Sequence, residues 1–247
     1  MSQPDKPQIV SYDGGYHNQD LELSRGRILS NGSWKKQRVI VLIPSANLIA
    51  AKVALSHWNI IFPPNQPVHR MLILGTEVGE AYSMALEQIL AHPDLSQWEY
   101  ILTLEHDNLV PPDIVLKLLE SMEKHPEFYC IAGLYWTKGH GGMPMIYGDV
   151  NDSVVNFRPQ PPKPNTVQEA YGLGMGANLW RLQAFKDTRL ERPFFKTRAS
   201  AAGVGTQDLA HFADARKYGY RAACDTRVLV GHYDYDGRIG GIPDFTW

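Results

Sequence analysis

The sequence has little cysteine and no long run of apolar residues. Its 247 residues include only two cysteines, Cys130 and Cys224, and both lie in apolar, strand-like stretches. This arrangement favours buried, reduced thiols over a disulfide framework, and so a reducing compartment. No apolar run approaches the roughly 18 to 20 residues of a membrane span, and the amino terminus lacks a basic-then-apolar signal pattern. We therefore expect a cytoplasmic protein that makes no stable insertion into a membrane.

The chain also lacks a strong charge of one sign. Its formal net charge is -2, and its lysine and arginine residues are dispersed along the chain. This distribution argues against a protein that grips nucleic acid tightly, although nucleic acid as a transient substrate stays open. Because 44% of the residues are apolar and 20% are charged, the chain can bury a full core within one domain.

Short apolar strands alternate with helical patterns through most of the chain. The strand-like segments are Arg38–Pro44, His69–Gly75, Glu99–Leu104 and Phe128–Trp136, and the helical patterns lie at 50–61, 79–92, 111–125 and 206–218. This alternation predicts an α/β fold with a mainly parallel twisted sheet flanked by helices. We assign the core to a single catalytic domain at 37–247, with a polar extension at 1–36 before it and a carboxyl-terminal tail from about 233.

Acidic residues follow the third of these strands directly. Glu105, His106 and Asp107 stand at its carboxyl end, where parallel sheets bind their ligands. If the strand period continues, the carboxylates of Glu105 and Asp107 point to one side and His106 points to the other. Hard oxygen ligands of this kind suit Mg²⁺ or Mn²⁺, which keep positions open for phosphate oxygens. The triplet by itself is also typical of a solvated loop.

Two blocks of sequence resemble the family-2-like glycosyltransferases with the GT-A fold. The first is YILTLEHDNLVPPDIVLKLLE, in which a D-x-D-type acidic triplet follows a buried strand and precedes a leucine-rich helix. The second is GVGTQDLAHFADARKYGYRAACDTRVLVGH, which is similar to the family's acceptor-side helix, the strand after it and a final histidine. The resemblance spans Arg38 to His232. It implies a metal-dependent transferase that takes a sugar from a nucleoside diphosphate sugar.

The resemblance also implies roles for individual residues. Asp107 would be the principal ligand of Mn²⁺ or Mg²⁺, Glu105 would contact the metal through water or the donor's ribose or sugar, and His232 would complete the metal site. Asp208 matches the family's general base, which takes a proton from the acceptor hydroxyl. Family members often have Glu-Asp at this point, whereas this chain has Gln207 before Asp208. Taken locally, Asp208 is equally typical of the first turn of a helix capped by Thr206.

The same resemblance predicts the remaining binding residues. Those on the donor side are Pro44, Ser45, Asn47, Thr76, Glu77, Glu105 and His106, and those of the acceptor and sugar pocket are Trp136, Gly174, Met175 and Gly176. Relatives usually have an Asp near Thr76 and Glu77, and its absence leaves the donor nucleotide open. The glycines would let the backbone approach a ligand closely, and a bend of the chain is the competing explanation.

Other functions stay open at this stage. A nucleotidylyltransferase would share the α/β core and the metal, but LIPSANLIAAK lacks the glycine-rich, basic loop expected after the first strand. A non-catalytic nucleotide- or sugar-binding module would retain the fold without using Asp208 as a base. A metal hydrolase is disfavoured because no H-E-x-x-H pattern occurs. The acceptor could be a glycan, a lipid-linked sugar, a protein, a small molecule or a modified nucleobase.

Overall fold

The computed structural model describes residues 8–13, 37–64, 66–138, 141–200, 203–234 and 244–246. The rest of the predicted amino-terminal extension and most of the predicted tail lie outside these ranges. The largest sheet has eight strands. The strands that run in one direction are, in spatial order, β3 (Val68–Leu74), β2 (Val39–Ser45), β4 (Tyr100–Leu104), β6 (Phe128–Leu134) and β13 (Arg221–Leu229). The predicted α/β sheet, mainly parallel, is confirmed.

Three strands of this sheet run in the opposite direction. β1 (Gln8–Asp13) pairs with β3 at one edge, and β8 (Val167–Ala170) pairs with β13 at the other. β10 (Ala177–Arg181) lies in the middle, between β4 and β6. The sequence patterns predicted none of these three strands. Each is short, and β10 follows a glycine-rich stretch that obscures its period.

Helices cover both faces of the sheet. They are α1 (Ala51–Trp58), α2 (Val78–Ala91), α3 (Ile114–Lys124) and α4 (Gln207–Arg216). Successive residues of β2 alternate between two apolar cores, because side chains on a strand point to opposite faces. Ile40 and Leu42 join the core that α2 and α4 cover, whereas Val39 and Val41 join the core that α3 covers. No helix in the described part of the chain is long and apolar enough to cross a membrane.

Smaller sheets bring distant parts of the chain to the carboxyl ends of the parallel strands. β14 (Gly231–Asp234) pairs with the short strand β5 (Asn108–Leu109) and with β15 (Asp244–Thr246). The remaining short pairs join β7 (Ile146–Tyr147) with β9 (Gly172–Leu173), and β11 (Arg198–Ser200) with β12 (Gly203–Gly205). Cys130 and Cys224 are both buried and free, as predicted.

Candidate active site

A pocket of about 300 Å³ opens where the parallel strands β2, β3 and β4 end. Its lining residues come from the carboxyl ends of these neighbouring strands, and they are Pro44, Ser45, Ala46, Thr76, Val78, Glu105, His106 and Asp107. Ligands of open α/β sheets bind in such a crevice. The structure therefore brings together five of the seven predicted donor-side residues with the predicted metal ligand Asp107.

The acidic triplet forms a turn. β4 ends at Leu104, and the amide of Asn108 donates a hydrogen bond of 3.1 Å to the carbonyl oxygen of Glu105. The expectation that strand alternation orients Glu105 and Asp107 was therefore wrong. The turn itself carries both residues to the pocket wall, and the amide of Glu105 is held by the carbonyl oxygen of Gly176 at 3.2 Å.

Strand pairing brings His232 to Asp107. His232 lies opposite Asn108 in the β14–β5 ladder, and the amide of Tyr233 donates to the carbonyl oxygen of Asp107 at 2.7 Å. The imidazole Nδ1 lies 2.8 Å from the carbonyl oxygen of Trp136, which can only accept, so Nδ1 carries a hydrogen. The other ring nitrogen, Nε2, lies 3.6 Å from Oδ2 of Asp107.

A lysine that was not predicted contacts the same carboxylate. The Lys138 ammonium lies 2.7 Å from Oδ2 of Asp107. Desolvation acts to raise the pKa of Asp107, but the nearby His232 and Lys138 outweigh it and hold the pKa well below its usual range. Asp107 is therefore ionised at neutral pH. Nothing in the spacing of the sequence links Lys138 to Asp107, because the contact crosses between two loops.

Glu105 differs from Asp107 in its protonation. Desolvation raises the pKa of Glu105 to about 8, and the negative charges of Asp107 and Asp208 act in the same direction. Lys138 lowers it only in part. Glu105 therefore keeps its proton through most of the neutral range, and two neighbouring carboxyl groups differ in charge.

Asp208 lies in the first turn of α4, and its side chain is buried. Burial raises its pKa, although Thr206 and the amide of Leu209 donate hydrogen bonds that oppose this shift. The Leu209 bond to Oδ1 measures 2.8 Å. The charge of Asp208 also raises the pKa of Glu105. Its role as a base stays a prediction.

The donor set around Asp107 can be tested against a divalent ion. In the described ranges, no group of three or more His, Cys, Asp or Glu side chains could hold a metal. Asp107 and His232 do converge: His232 Nε2 lies 3.6 Å from Oδ2 of Asp107, while Nδ1 is engaged by the carbonyl oxygen of Trp136. A carboxylate oxygen and a ring nitrogen at this separation can both contact one cation, and Mg²⁺ commonly combines one or two protein ligands with water and phosphate. The residues fit an ion of this type.

Two predicted donor-side residues do not line the pocket. Asn47 is exposed and has a positive φ of 90° in the loop after β2. Glu77 caps α2, since its Oε2 accepts from the amides of Gly79 at 2.9 Å and Glu80 at 3.1 Å. The carboxylate of Glu77 therefore has a structural partner already. Contact of either residue with a donor stays a prediction.

The predicted sugar-pocket segment packs against Tyr135. A Cβ on Gly176 would lie 2.6 Å from Cζ of Tyr135, and the amide of Gly176 donates to the Tyr135 hydroxyl at 2.9 Å. Gly174 is equally close to that hydroxyl, and Met175 is buried. The glycines thus make room for a tyrosine ring, and their contact with a ligand stays a prediction. Trp136 is half-buried and orients His232 through its carbonyl group.

Tyr82 is a second residue that sequence reasoning missed. It lies one turn after Val78 on α2, its side chain is buried, and its hydroxyl has no hydrogen-bond partner. Burial raises its pKa well above the usual value, with Glu105, Asp107 and Asp208 acting in the same direction. The signal in the sequence was that Tyr82 lies four residues after Val78, and therefore on the same face of the helix.

Comparison with known proteins adds information about the fold. No family model matches the chain, and no curated protein matches it. The structure is similar to A197 from STIV, with a TM-score of 0.57 and 16% identity, over 81% of this chain and 87% of A197. It also matches TarS 1–349 from S. aureus, with a TM-score of 0.47 and 13% identity, over 78% of this chain and 59% of that one. The likeness to A197 is one of fold, and the predicted α/β fold of the GT-A type is confirmed.

Proposed function

We propose that this protein transfers a sugar from a nucleoside diphosphate sugar to an acceptor hydroxyl, with Mn²⁺ or Mg²⁺ as its cofactor. One observation carries the proposal: an ionised Asp107, faced by His232 and Lys138, lines a pocket at the ends of three parallel strands. Such a cluster combines a negative ligand for a divalent ion with a cation suited to phosphate. The GT-A type of fold supports the same reading.

The donor would occupy the pocket between the β2 end and the acidic turn. A volume of about 300 Å³ is at the lower end of the range for small-molecule sites. Pro44 and Ser45 would border the nucleoside, since they are buried at the end of β2. Glu105, with its raised pKa, can donate a hydrogen bond from its carboxyl group to a ribose or sugar hydroxyl.

Asp107 and His232 would hold the divalent ion. When bound, the ion would supply positive charge that stabilises the leaving diphosphate. The hydrogen bond from His232 Nδ1 to the carbonyl of Trp136 keeps Nε2 turned toward Asp107. Orientation of a ligating histidine by a carbonyl group is a recurrent device of metal sites.

Asp208 would accept the proton of the attacking hydroxyl in an inverting reaction. Burial raises the pKa of its carboxyl group, which brings a carboxylate closer to the basicity that proton transfer at neutral pH requires. The amide of Leu209 donates to Oδ1 at 2.8 Å and so helps to orient the carboxyl group. The acceptor itself is not specified by these contacts.

The proposal can be tested without knowledge of the acceptor. Nucleotide sugars of the uridine, guanosine, cytidine, adenosine and thymidine classes are screened by thermal shift and by slow donor hydrolysis, with and without Mn²⁺ or Mg²⁺. We expect one nucleotide class to raise the melting temperature only when metal is present. Asp107→Ala should abolish that rise, because it removes the charged ligand.

Asp113→Ala is the matched control. Asp113 also pairs with a lysine, Lys117, at 2.9 Å, but it lies at the start of α3 and does not line the pocket. This variant should keep the metal-dependent stabilisation of the wild type. The proposal fails if no nucleotide sugar stabilises the wild type with any metal. A nucleotide that binds equally well without metal, and to Asp107→Ala, would instead indicate a binding module.

A further inference from the structure

We propose that Lys138 is a displaceable counter-ion of the pocket: its ammonium neutralises Asp107 when the pocket is empty, and moves to the donor's diphosphate when the metal and donor enter. This inference rests on the proposed function and adds a phosphate-binding residue that the sequence did not reveal. It assigns one side chain two partners, one in each state of the pocket.

Lys138 and His232 both approach the same atom, Oδ2 of Asp107. Lys138 Nζ lies 2.7 Å from Oδ2 of Asp107, and His232 Nε2 lies 3.6 Å from the same oxygen. A divalent ion held by Asp107 and His232 must therefore approach the oxygen that the ammonium already contacts. Two cations so close together repel each other. The lysine has to withdraw for the ion to bind.

Hydrogen bonds hold the base of the loop that carries Lys138, whereas the Lys138 side chain is partly exposed. Two hydrogen bonds of 2.9 Å join Thr137 and Met143, one from the amide of Thr137 and one to its hydroxyl, and Trp136 and Pro144 form a bridge next to them. Lys138 is the first residue beyond this base, and its side chain is 38% exposed. A lysine carries its charge on a flexible four-carbon stem, so the ammonium can shift without movement of the loop base.

The surroundings of Lys138 are acidic. Asp107 and Glu105 line the same pocket, and the Lys138 ammonium lies 2.7 Å from Oδ2 of Asp107. Once a divalent ion neutralises Asp107, the strongest anion close to Lys138 is the diphosphate bound to that ion. Lysine binds phosphate as a point charge, without a fixed geometry. The displaced ammonium therefore finds its new partner within the same pocket.

The test compares the wild type with Lys138→Met, which keeps the stem and removes the charge. Binding of Mn²⁺ alone is measured by electron paramagnetic resonance, and binding of pyrophosphate at saturating Mn²⁺ is measured by calorimetry. We expect Lys138→Met to bind Mn²⁺ more tightly than the wild type, by on the order of three- to tenfold, because a competing cation is gone. We expect it to bind pyrophosphate more weakly, by a similar factor.

Lys117→Met serves as the control, since Lys117 forms a similar ion pair with Asp113 outside the pocket, at 2.9 Å. It should match the wild type in both titrations. The inference is overturned if Lys138→Met binds Mn²⁺ no more tightly than the wild type, or if its affinity for pyrophosphate is unchanged. If the wild type and Lys138→Met bind Mn²⁺ and pyrophosphate with the same affinities, only this inference is refuted. A wild type that binds neither refutes the proposed function along with it.

Discussion

Asp107 and Asp225 are both aspartates with lowered pKa values, but their surroundings differ. Asp225, on β13, is fully buried, and each of its two carboxylate oxygens accepts two hydrogen bonds. Arg227 donates from its amide and twice from its guanidinium, and Ser121 donates from α3 at 2.6 Å. Asp107 has the ammonium of Lys138 at 2.7 Å and Nε2 of His232 at 3.6 Å. In both, burial acts to raise the pKa and hydrogen bonds outweigh it.

Since both aspartates have a lowered pKa in such different surroundings, a shifted pKa does not by itself identify a functional group. The network of Asp225, Arg227 and Ser121 is closed, because each oxygen of the buried Asp225 carboxylate has two donors from these residues. The pocket cluster of Asp107, Lys138 and His232 is open, since Asp107 lines a pocket that a ligand can enter. Closed networks stabilise a fold, and open ones leave capacity for a ligand.

The largest expected effect is that of Asp208→Asn on chemistry. Loss of the base should lower metal-dependent donor hydrolysis by about 10²- to 10⁴-fold. The amide oxygen can still accept the hydrogen bond from Leu209, so the melting temperature should stay close to that of the wild type. Both quantities are measured on the same preparation.

Asp214→Asn is the control on the same helix. Asp214 is buried and accepts from the amide of Glu191 at 2.7 Å, outside the pocket. It should retain its rate of hydrolysis per folded molecule. Undiminished hydrolysis in Asp208→Asn would mean that Asp208 is not the base and that its side chain only stabilises the first turn of α4.

The second prediction concerns the closed network. Asp225→Ala should lower the free energy of unfolding by about 3 to 5 kcal/mol, because it removes four hydrogen bonds of about 1 kcal/mol each and leaves the buried hydroxyl of Ser121 without its acceptor. Urea denaturation measures this loss. The double variant Asp225→Ala with Ser121→Ala should recover part of it, since no buried hydroxyl is then left without an acceptor.

Folded Asp225→Ala should still be stabilised by the same nucleotide and metal as the wild type. If this variant loses nucleotide binding while it is fully folded, the contrast between the closed network and the open pocket breaks down.

The smallest expected effect is a pH dependence of stability from His211, which is buried without a charge. Its Nδ1 lies 3.1 Å from the carbonyl oxygen of Phe194, and burial lowers its pKa to about 4 from 6.5. The folded state therefore binds fewer protons than the unfolded state between these values. Stability from the neutral ring is fully present above pH 6.5 and is lost as the pH falls toward 4, by about 2 to 3 kcal/mol at pH 4.5.

Urea denaturation at pH 7 and pH 4.5 tests this prediction. His211→Phe retains a ring beside Phe185 and Phe195, but it has no group to protonate. The fall in stability between the two pH values should therefore be smaller in the variant than in the wild type, by that amount. Equal falls in the two proteins would mean that His211 does not contribute to acid sensitivity.

Much of the fold could be predicted from the sequence, because buried parallel strands are continuous apolar runs and helices have their own period. The predicted strand His69–Gly75 and the observed strand Val68–Leu74 differ by one residue at each end. The strand Ala177–Arg181 was missed because it is short, follows a glycine-rich stretch and has Asn178 within its apolar run. Its Leu179 and Trp180 enter different cores, so no alternation of polar and apolar residues marks it.

The candidate site could be predicted only in part. Glu105, His106 and Asp107 follow a recognisable strand, so their position at the carboxyl edge of the sheet was accessible. The glycines at 174 and 176 were attributed to a ligand, whereas their partner is the ring of Tyr135. A glycine indicates that something comes close, and the sequence cannot say what it is.

The order of the parallel strands and of the helices, the apolar faces that form two cores, and the place of the acidic residues after β4 could be predicted from the sequence alone. These features depend on local periods and on residue types. The tertiary structure alone decided which groups meet at Asp107. His232 arrives through the pairing of β14 with β5, and Lys138 arrives from a loop whose base is held by Thr137. Contacts between segments far apart in the chain depend on strand register and loop geometry, which no local pattern records.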